Sequence, residues 1–544
     1  MPRGRIIAIT SVATVLVAGA AAGGAYYVLH TRGSAELTAA HFTAAWQRGD
    51  LAAMRADLAA PADAFDAAYA EPARNLGAGR PTVRLGAVTP RGEDHARAAY
   101  TATMTLKDVG EWTYTGSVDL VVKDHYWKVA WTPAAVHPAL GGPAHLALKT
   151  TWPERAAVED ARGGRIDQGE VGGSVQQLAG YLDKATGKDV AKLGSPYKAG
   201  DAIGRSGLQQ TFQKELAGVP DTAVVVTGGA AGTSGKVLTT FQGTPGTAVR
   251  TSLDPRAQKA AVAAVRDLKK PASLVAIRPS TGEILAVVNN RGGFNRALDG
   301  RYPPGSTFKT VTAAGLLAQG LTPGRKVTCP EKASVGGLAI RNSDHEAFGS
   351  LSFLDSYAHS CNTTFAPLAA EHLSGGRLYQ VASKMGFNQP LTIGVPATRG
   401  SMPKPTGPAD LAAESFGQGR ITASPLVMAS VAAAVAAGTW RPPTLVPALK
   451  QRLRPQPLEG TVARDLRTMM TAVVTKGTAK GAGLPSGTAG KTGTAEFGTG
   501  GKLDSHAWFI GFRGDVAFAV VVEAGGMGGE VAAPAAAGFL RGLD

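Results

Sequence analysis

The chain has 544 residues, a length that predicts about three to four domains. Hydrophobic residues make up 44% of the chain and charged residues 18%, a composition typical of folded rather than disordered proteins. Two cysteines, Cys329 and Cys361, are too few for a disulfide scaffold or a cysteine-rich zinc module. The formal net charge of +15 favours a polyanionic partner, such as nucleic acid, anionic lipid or an acidic cell wall, without choosing among them.

An uncharged, apolar run occupies residues 6–29. Because about 20 apolar residues suffice to span a bilayer, the run predicts a transmembrane anchor. Arg3 and Arg5 precede it, so the positive-inside rule places residues 1–5 in the cytoplasm and the remainder outside. A cleaved signal peptide is the alternative, since the small residues at 18–25 offer cleavage sites. Both interpretations place the rest of the chain outside the cytoplasm and argue against a DNA-binding role.

The pattern of residues 34–148 predicts helices followed by an antiparallel meander. Gly49 is expected to end one helix as a C-cap glycine, and Asp50 is expected to cap the next. Alternating apolar and polar residues then predict three strands between residues 100 and 131. This pattern indicates an α+β unit without catalytic residues, which we interpret as a spacer.

Residues 149–250 are rich in glycine and irregular in pattern, and we interpret them as a linker domain. The sequence from Gly232 to Lys236 resembles the end of a phosphate-binding loop. Ala230 stands where that motif requires its first glycine, and Val237 stands where it requires a hydroxyl. A nucleotide site is therefore excluded here.

Residues 251–544 begin with Thr251-Ser-Leu-Asp-Pro255, in which Asp254 is expected to cap a helix. Apolar runs that favour strands lie near both ends of this segment, at 273–277, 284–288, 507–512 and 517–522. Helical stretches lie between them. The arrangement predicts one sheet built from distant parts of the chain and covered by helices.

The first chemical motif is Ser306-Thr-Phe-Lys309, which follows Pro303-Pro-Gly. The prolines prevent a helical approach, so Ser306 falls at a helix start, where free N–H groups favour a developing oxyanion. Lys309 lies one turn later on the same face. A serine hydroxyl needs a base to become a nucleophile, and a lysine can be that base if its pKa is depressed.

Two further motifs follow downstream. Ser360-Cys-Asn362 can present a hydroxyl that relays a proton and an amide that holds the lysine and a substrate amide. Lys491-Thr-Gly-Thr494 is predicted on an edge strand, where a cation and a hydroxyl can bind a substrate carboxylate. Gly493 would remove a side chain where substrate approaches. Each motif alone often occurs by chance, but the three motifs in this order form a specific catalytic signature.

In these motifs the sequence resembles class B penicillin-binding proteins. Three secondary segments agree with the resemblance, at 360–365, 415–419 and 506–511. The resemblance implies a multidomain α+β protein with a C-terminal serine β-lactamase/transpeptidase-like fold in residues 251–544. Residues 34–148 resemble the NTF2-like domain of low-affinity, resistance-type members, and residues 149–250 would be a pedestal or dimerisation-type domain.

The resemblance also implies roles at the matching positions. Ser306 would be the acylated nucleophile, Lys309 its general base and Ser360 the proton relay. Asn362 would position Lys309 and the substrate.

The remaining implied residues bind substrate. Lys491 would supply positive potential, Thr492 would hold the terminal carboxylate of the substrate, and Gly493 would leave room for it. The N–H groups of Ser306 and Thr494 would form the oxyanion hole. The resemblance implies neither a metal nor a cofactor.

The middle residue of the second motif departs from the S-D-N form, since it is Cys361. We interpret Cys361 as a small buried residue rather than a second nucleophile. Whether it pairs with Cys329 stays open at this point.

The implied activity is peptidoglycan D,D-transpeptidation, with β-lactam antibiotics bound covalently at the same serine. Implied partners are the peptidoglycan stem peptides and a SEDS-family membrane glycosyltransferase, together with other cell-wall synthesis proteins. A D,D-carboxypeptidase and a β-lactamase share the motifs and stay as alternatives. A non-catalytic envelope scaffold is the alternative from a different class.

Overall fold

The computed structural model describes residues 30–169, 172–228, 235–498 and 503–544. The predicted anchor at residues 6–29 lies outside these ranges. Within them, no helix has both the length and the apolar character needed to cross a bilayer. The chain divides into two compact units, which are described separately. The first comprises residues up to 155 with 187–198 and 218–245, and the second comprises 156–186, 199–217 and 246–544.

The first unit opens with three helices, which are followed by a four-stranded antiparallel sheet in the order β1-β2-β3-β4. The helices are α1 Ala35–Arg48, α2 Leu51–Ala56 and α3 Phe65–Leu76, and the strands are β1 Thr82–Pro90, β2 His95–Leu106, β3 Gly110–Lys123 and β4 Tyr126–Val129. Gly49 ends α1 with a φ of 73°, and the Asp50 side chain accepts the Ala53 N–H, as predicted. Strand β1 was not predicted, because most of its residues face solvent and it lacks a clear apolar alternation.

The core of this sheet is organised around Tyr100, whose ring lies over Gly116 on the neighbouring strand. The Tyr100 hydroxyl donates to the carbonyls of Ala135 and Val136, at 2.9 and 3.0 Å. A β-carbon at position 116 would lie 2.2 Å from that hydroxyl oxygen. The glycine therefore makes room for a buried ring that fastens the sheet to the segment after β4.

A second, three-stranded antiparallel sheet completes the first unit, in the order β7-β6-β5. Its strands are β5 His145–Thr151, β6 Asp221–Thr227 and β7 Val237–Phe241, and a helix occupies Gly187–Leu193. The predicted domain boundary between residues 148 and 149 thus falls within β5.

The second unit contains short elements before residue 251 and a large sheet after it. The short strands are Val158–Glu159, Leu182–Lys184, Ala202–Gly204 and Val249–Arg250, and the short helices are Gly173–Ala179, Gly207–Thr211 and Gln213–Ala217. Residues 149–250 are therefore more regular than their sequence predicts. The signal is weak because the elements are short and interrupted by glycine.

The large sheet has five antiparallel strands in the order β9-β8-β12-β11-β10. These strands are β8 Ala272–Ile277, β9 Ile284–Asn289, β10 Ala489–Phe497, β11 Asp504–Arg513 and β12 Val516–Val522. The prediction of one sheet from both ends of this segment is confirmed, and β10 is an edge strand as expected.

Helices cover this sheet and fill the chain between its two halves. They are α4 Pro255–Val265, α5 Lys309–Ala318, α6 Phe353–Ala358, α7 Asn362–His372, α8 Gly375–Lys384, α9 Pro408–Ser415, α10 Pro425–Ala437, α11 Val462–Thr475 and α12 Ala532–Arg541, with a short helix at Arg296–Asp299. Two-residue strands pair at Thr439–Trp440 and Gln456–Pro457. Asp254 caps α4 through the N–H groups of Arg256 and Ala257, as predicted.

Helix α10 is buried on every side from Pro425 to Val435 and packs against the sheet. Two small hairpin-like pairs lie between α5 and α7 in sequence. Lys326–Cys329 pairs with Gly349–Ser352, and Lys332–Val335 pairs with Leu338–Arg341.

We expect Gly116→Ala to lower the free energy of unfolding of the first unit by about 2 kcal/mol, since the added methyl group displaces the Tyr100 ring from its two hydrogen bonds. Calorimetric unfolding of the purified protein measures the change. Gly141→Ala in the same unit is the control, because nothing lies within 4 Å of its β-carbon position. Equal effects of the two substitutions would contradict this account of Tyr100.

Candidate active site

Ser306 lies in a tight turn that joins the approach segment to helix α5. A 3-10 turn spans Gly305–Phe308, and α5 begins at Lys309. The Thr307 hydroxyl donates to the Pro304 carbonyl at 2.6 Å, and the Trp508 indole N–H donates to the Pro303 carbonyl at 3.1 Å. These bonds hold the turn against strand β11, so the half-buried Ser306 side chain has a defined position.

Lys309 is completely buried, and its ammonium nitrogen lies among four oxygen atoms. The Nζ atom is 2.8 Å from Ser306 Oγ and 2.6 Å from Asn362 Oδ1. It is also 2.8 Å from the Ser360 carbonyl oxygen and 3.2 Å from Ser360 Oγ. The first two predicted motifs therefore meet at this single nitrogen.

Ser360 and Asn362 flank the start of helix α7. Ser360 has a φ of 62°, a left-handed conformation that a residue other than glycine adopts at a cost in free energy. The Asn362 side chain accepts from Lys309 and donates to the Arg341 carbonyl at 2.8 Å. Neighbouring Asn342 is buried, and its side-chain oxygen accepts the Thr363 N–H at 3.2 Å. Residues 341–342 therefore fix the beginning of α7.

Cys361 is buried and forms a disulfide with Cys329. The interpretation of Cys361 as a buried residue is confirmed, and the open question of pairing is answered. The bond attaches the middle residue of the second motif to the strand Lys326–Cys329. Sequence spacing alone could not show this, because the two cysteines are 32 residues apart.

Lys491 extends the polar group from strand β10. It is completely buried, with its Nζ 2.9 Å from Ser360 Oγ. Ser360 Oγ thus lies within hydrogen-bonding distance of both lysines. The hydroxyl of the next residue, Thr492, is 2.5 Å from the Thr478 hydroxyl.

Gly493 faces the Ser306 turn. A β-carbon there would lie 2.9 Å from Thr307 Cγ2 and 3.0 Å from the Pro304 carbonyl oxygen. Glycine is therefore required at position 493 because β10 packs closely against the Ser306 turn. Thr494 is half-buried on the same strand, and its Oγ accepts the Gly528 N–H at 3.4 Å.

Both lysines are held in an environment that disfavours their charge. Burial lowers the pKa of Lys309 well below its ordinary value, and the positive charge of Lys491 lowers it further. Burial alone lowers the pKa of Lys491 to about 7. A lysine with a lowered pKa can be neutral near physiological pH and accept a proton from Ser306.

Several residues that support this group have no motif of their own. Thr478 contacts Thr492, and the Tyr357 hydroxyl is 2.9 Å from Thr310 Oγ1 on α5. The Tyr357 ring also lies beneath Lys491, with 5.6 Å between Nζ and the ring centroid.

The secondary segment at 506–511 places His506 in a stack on Phe497, with 4.1 Å between the ring centroids.

Three family models match the chain. The model for the penicillin-binding protein transpeptidase domain matches residues 272–541, and the NTF2-like N-terminal transpeptidase domain matches 34–143. The penicillin-binding protein dimerisation domain matches 170–251. The peptidoglycan D,D-transpeptidase PbpA of Mycolicibacterium smegmatis is 32% identical over 353 residues, which cover 53% of this chain and 70% of that protein. The chain belongs to the class B penicillin-binding protein transpeptidases.

Solved structures of penicillin-binding proteins are also similar to this chain. Pseudomonas aeruginosa PBP2 is 26% identical with a TM-score of 0.61, and the match covers 73% of this chain and 96% of that one. Penicillin-binding protein A of Mycobacterium tuberculosis, solved as a ceftriaxone acyl-enzyme, is 28% identical with a TM-score of 0.50. That match covers 55% of this chain and 80% of the other.

This class B penicillin-binding protein is a serine-type peptidoglycan D,D-transpeptidase with an NTF2-like N-terminal domain. Its substrate lies in the cell wall, so the catalytic domain works outside the cytoplasm. An oxidising compartment is also where a disulfide such as Cys329–Cys361 persists.

We expect the double substitution of Cys329→Ala and Cys361→Ala to lower the free energy of unfolding of the transpeptidase domain by about 3 kcal/mol. The disulfide closes a loop in the unfolded chain and so reduces the conformational entropy that the chain gains on unfolding. Denaturant unfolding measures the loss. Thiol titration of the denatured wild type should find no free thiol without reductant. Two titratable thiols, or equal stability of the variant, would contradict the bond.

Proposed function

We propose that Ser306 is the residue acylated by the D-Ala-D-Ala end of a stem peptide, with Lys309 as its general base. The observation that carries this proposal is the 2.8 Å distance between Lys309 Nζ and Ser306 Oγ at a completely buried lysine. A neutral Lys309 accepts the hydroxyl proton while Oγ forms a bond to the carbonyl carbon of the penultimate D-Ala.

Ser360 would then complete the proton path. Its Oγ lies 3.2 Å from Lys309 Nζ and 2.9 Å from Lys491 Nζ. When the peptide C–N bond breaks, the leaving D-Ala nitrogen takes a proton from Ser360, which is replenished from Lys309. Asn362 holds Lys309 in place through its side-chain oxygen.

Strand β10 would bind the substrate and its developing charge. The N–H groups of Ser306 and Thr494 are proposed to bind the oxyanion, since Gly305 packs directly on Thr494. Lys491 and the Thr492 hydroxyl are proposed to bind the terminal carboxylate. Gly493 supports this arrangement by allowing β10 to lie against the Ser306 turn.

The second half-reaction uses an amine from a neighbouring strand. The amine attacks the acyl carbon and gives up a proton to Lys309, directly or through Ser360. As the bond to Ser306 Oγ breaks, Lys309 returns a proton to Oγ and the serine hydroxyl is regenerated. A β-lactam would acylate the same Oγ by opening of its ring amide. Because its nitrogen stays attached to the acyl group, the leaving group cannot diffuse away.

We further propose that residues 6–29 anchor the protein with residues 1–5 in the cytoplasm. Residues 34–148 and 149–250 would separate this anchor along the chain from the catalytic domain at 251–544. A SEDS-family glycosyltransferase is the proposed membrane partner that supplies the glycan strands.

We expect a fluorescent penicillin to label the wild-type protein and leave Ser306→Ala unlabelled, because the covalent bond requires Oγ. Gel fluorescence and intact-mass analysis measure the adduct. Ser280→Ala is a matched control, since Ser280 lies in an exposed turn and bonds to Asp515. Labelling of Ser306→Ala at wild-type level would refute the assignment of the nucleophile.

Incubation with a D-Ala-D-Ala peptide separates the related activities. A transpeptidase forms the amide product when an amine acceptor is added, whereas a D,D-carboxypeptidase releases only free acid. Mass spectrometry of the products distinguishes them. A penicillin adduct that is lost within seconds would instead indicate a β-lactamase.

We expect the acylation rate to rise with pH as Lys309 loses its proton, and to fall above about pH 7 as Lys491 loses the charge that binds the carboxylate. Lys491→Gln removes a neighbouring positive charge, which raises the pKa of Lys309. The rising limb of the profile should therefore move to higher pH. The exposed Lys480→Gln is the control, and an unmoved limb in Lys491→Gln would count against the coupling of the two lysines.

A further inference from the structure

We propose that Glu414 and Arg420 are positioning residues for the transpeptidase reaction, because their ion pair joins the two ends of the segment that supports the Ser306 turn. That segment, residues 415–419, is called the support loop below. The proposal rests on the assignment of Ser306 as nucleophile.

The support loop contacts the turn through two glycines. The Gly305 N–H donates to the Gly417 carbonyl at 3.0 Å, and a β-carbon on Gly417 would lie 2.0 Å from the Gly305 carbonyl oxygen. On its other side, Gly305 packs on β10, where a β-carbon would lie 2.9 Å from the Thr494 carbonyl oxygen. Gly305 is thus held between the sheet and the support loop. A shift of the loop moves the peptide that carries the Ser306 N–H.

The support loop has little rigidity of its own. Its first residue, Ser415, ends helix α9, and residues 416–419 belong to no helix or strand. Gly417 and Gly419 have φ values of 77° and 76°, and glycine loses more conformational freedom on folding than other residues. The Ser415 carbonyl accepts from Thr312 on α5 at 2.7 Å, and the Gly417 and Gln418 N–H groups donate to the end of α9 at 3.1 Å. These bonds hold the part of the loop next to α9.

The ion pair closes the loop at both ends. Glu414 is 1% exposed, and its Oε1 accepts from Arg420 Nε and Nη2 at 3.1 and 3.0 Å. Arg420 also donates to the Lys404 carbonyl and to Asp410, at 3.3 and 3.4 Å. Arg420 thereby ties the end of the loop to α9 and to the segment that precedes it.

The pair is poorly suited to stabilising the fold. Glu414 Oε2 is buried and has no hydrogen-bond partner among the described residues. Burying an incompletely paired carboxylate costs free energy that an apolar side chain would not cost. Burial raises the pKa of Glu414, although the positive charge of Arg420 lowers it. The nearby acidic group, Asp410, also raises this pKa. A role in fixing geometry accounts for a charge at this position.

Glu414 makes no direct hydrogen bond to the reacting groups. Its side-chain hydrogen bonds in the described ranges go to Arg420, and none goes to Ser306, Lys309 or Ser360. It therefore acts through the backbone of the support loop, and removing its charge should slow the chemical step more than substrate binding.

The test measures acylation by a fluorescent penicillin, resolved into the non-covalent dissociation constant and the first-order acylation constant. We expect Glu414→Gln and Arg420→Gln to lower the acylation constant roughly tenfold, because small displacements of reacting groups have large effects on rate. The dissociation constant should stay within about twofold, since Lys491 and Thr492 are untouched. Arg420→Lys, which keeps the charge, should recover part of the loss.

Glu459→Gln is the matched control. Glu459 also pairs with an arginine and a lysine, Arg377 and Lys384, but it is 45% exposed. We expect wild-type kinetics for this variant. If Glu414→Gln does not fold, Arg420→Gln carries the test, since the Arg420 side chain is 47% exposed.

Three results would overturn the proposal. An unchanged acylation constant in folded variants would show that the pair does not position Ser306. A loss explained by a smaller fraction of active enzyme would indicate a role in folding only. A longer-lived penicillin adduct in Glu414→Gln would make Glu414 a base for hydrolysis. If the wild type itself is not labelled, the proposed nucleophile fails instead.

Discussion

The burial of two lysines around one serine hydroxyl is the constraint on which the rest of this catalytic domain depends. Lys309 and Lys491 are both removed from water, and Ser360 Oγ lies between their nitrogens. Two ammonium groups cannot both keep their full charge in such a place at low cost in free energy. A neutral lysine can therefore lie beside Ser306, the proposed nucleophile, and the helices and strands that meet here keep water out.

That arrangement requires three chain segments to meet within hydrogen-bonding distance. Helix α5 brings Lys309, the start of α7 brings Ser360 and Asn362, and edge strand β10 brings Lys491. Glycines permit the closest approaches, at Gly305 against β10 and at Gly493 against the turn. The disulfide of Cys361 and the hydrogen bonds of residues 341–342 hold the start of α7, which directly follows the left-handed residue Ser360 and Cys361.

Much of this could be predicted from the sequence, because the catalytic motifs are local. Ser306 and Lys309 lie three residues apart, and continuous apolar runs predicted four of the five strands of the large sheet. Residues that act across long sequence distances left no such signal. Thr478 and Tyr357 contribute through contacts with residues elsewhere in the chain, at Thr492, Thr310 and Lys491. Arg341 contributes through its backbone carbonyl. Strand β1 was not predicted, because most of its side chains face solvent.

The order of the strands also determines when the enzyme can become active during its synthesis. Strands β8 and β9 end by Asn289, whereas the other three strands of the sheet begin only at Ala489. Ser306 and Lys309, the proposed nucleophile and base, are therefore synthesised about 180 residues before the strand that carries Lys491. A chain that ends before β10 contains Ser306 and Lys309 but lacks the strand that carries Lys491. The group of two buried lysines around Ser360 can therefore form only in a nearly complete chain.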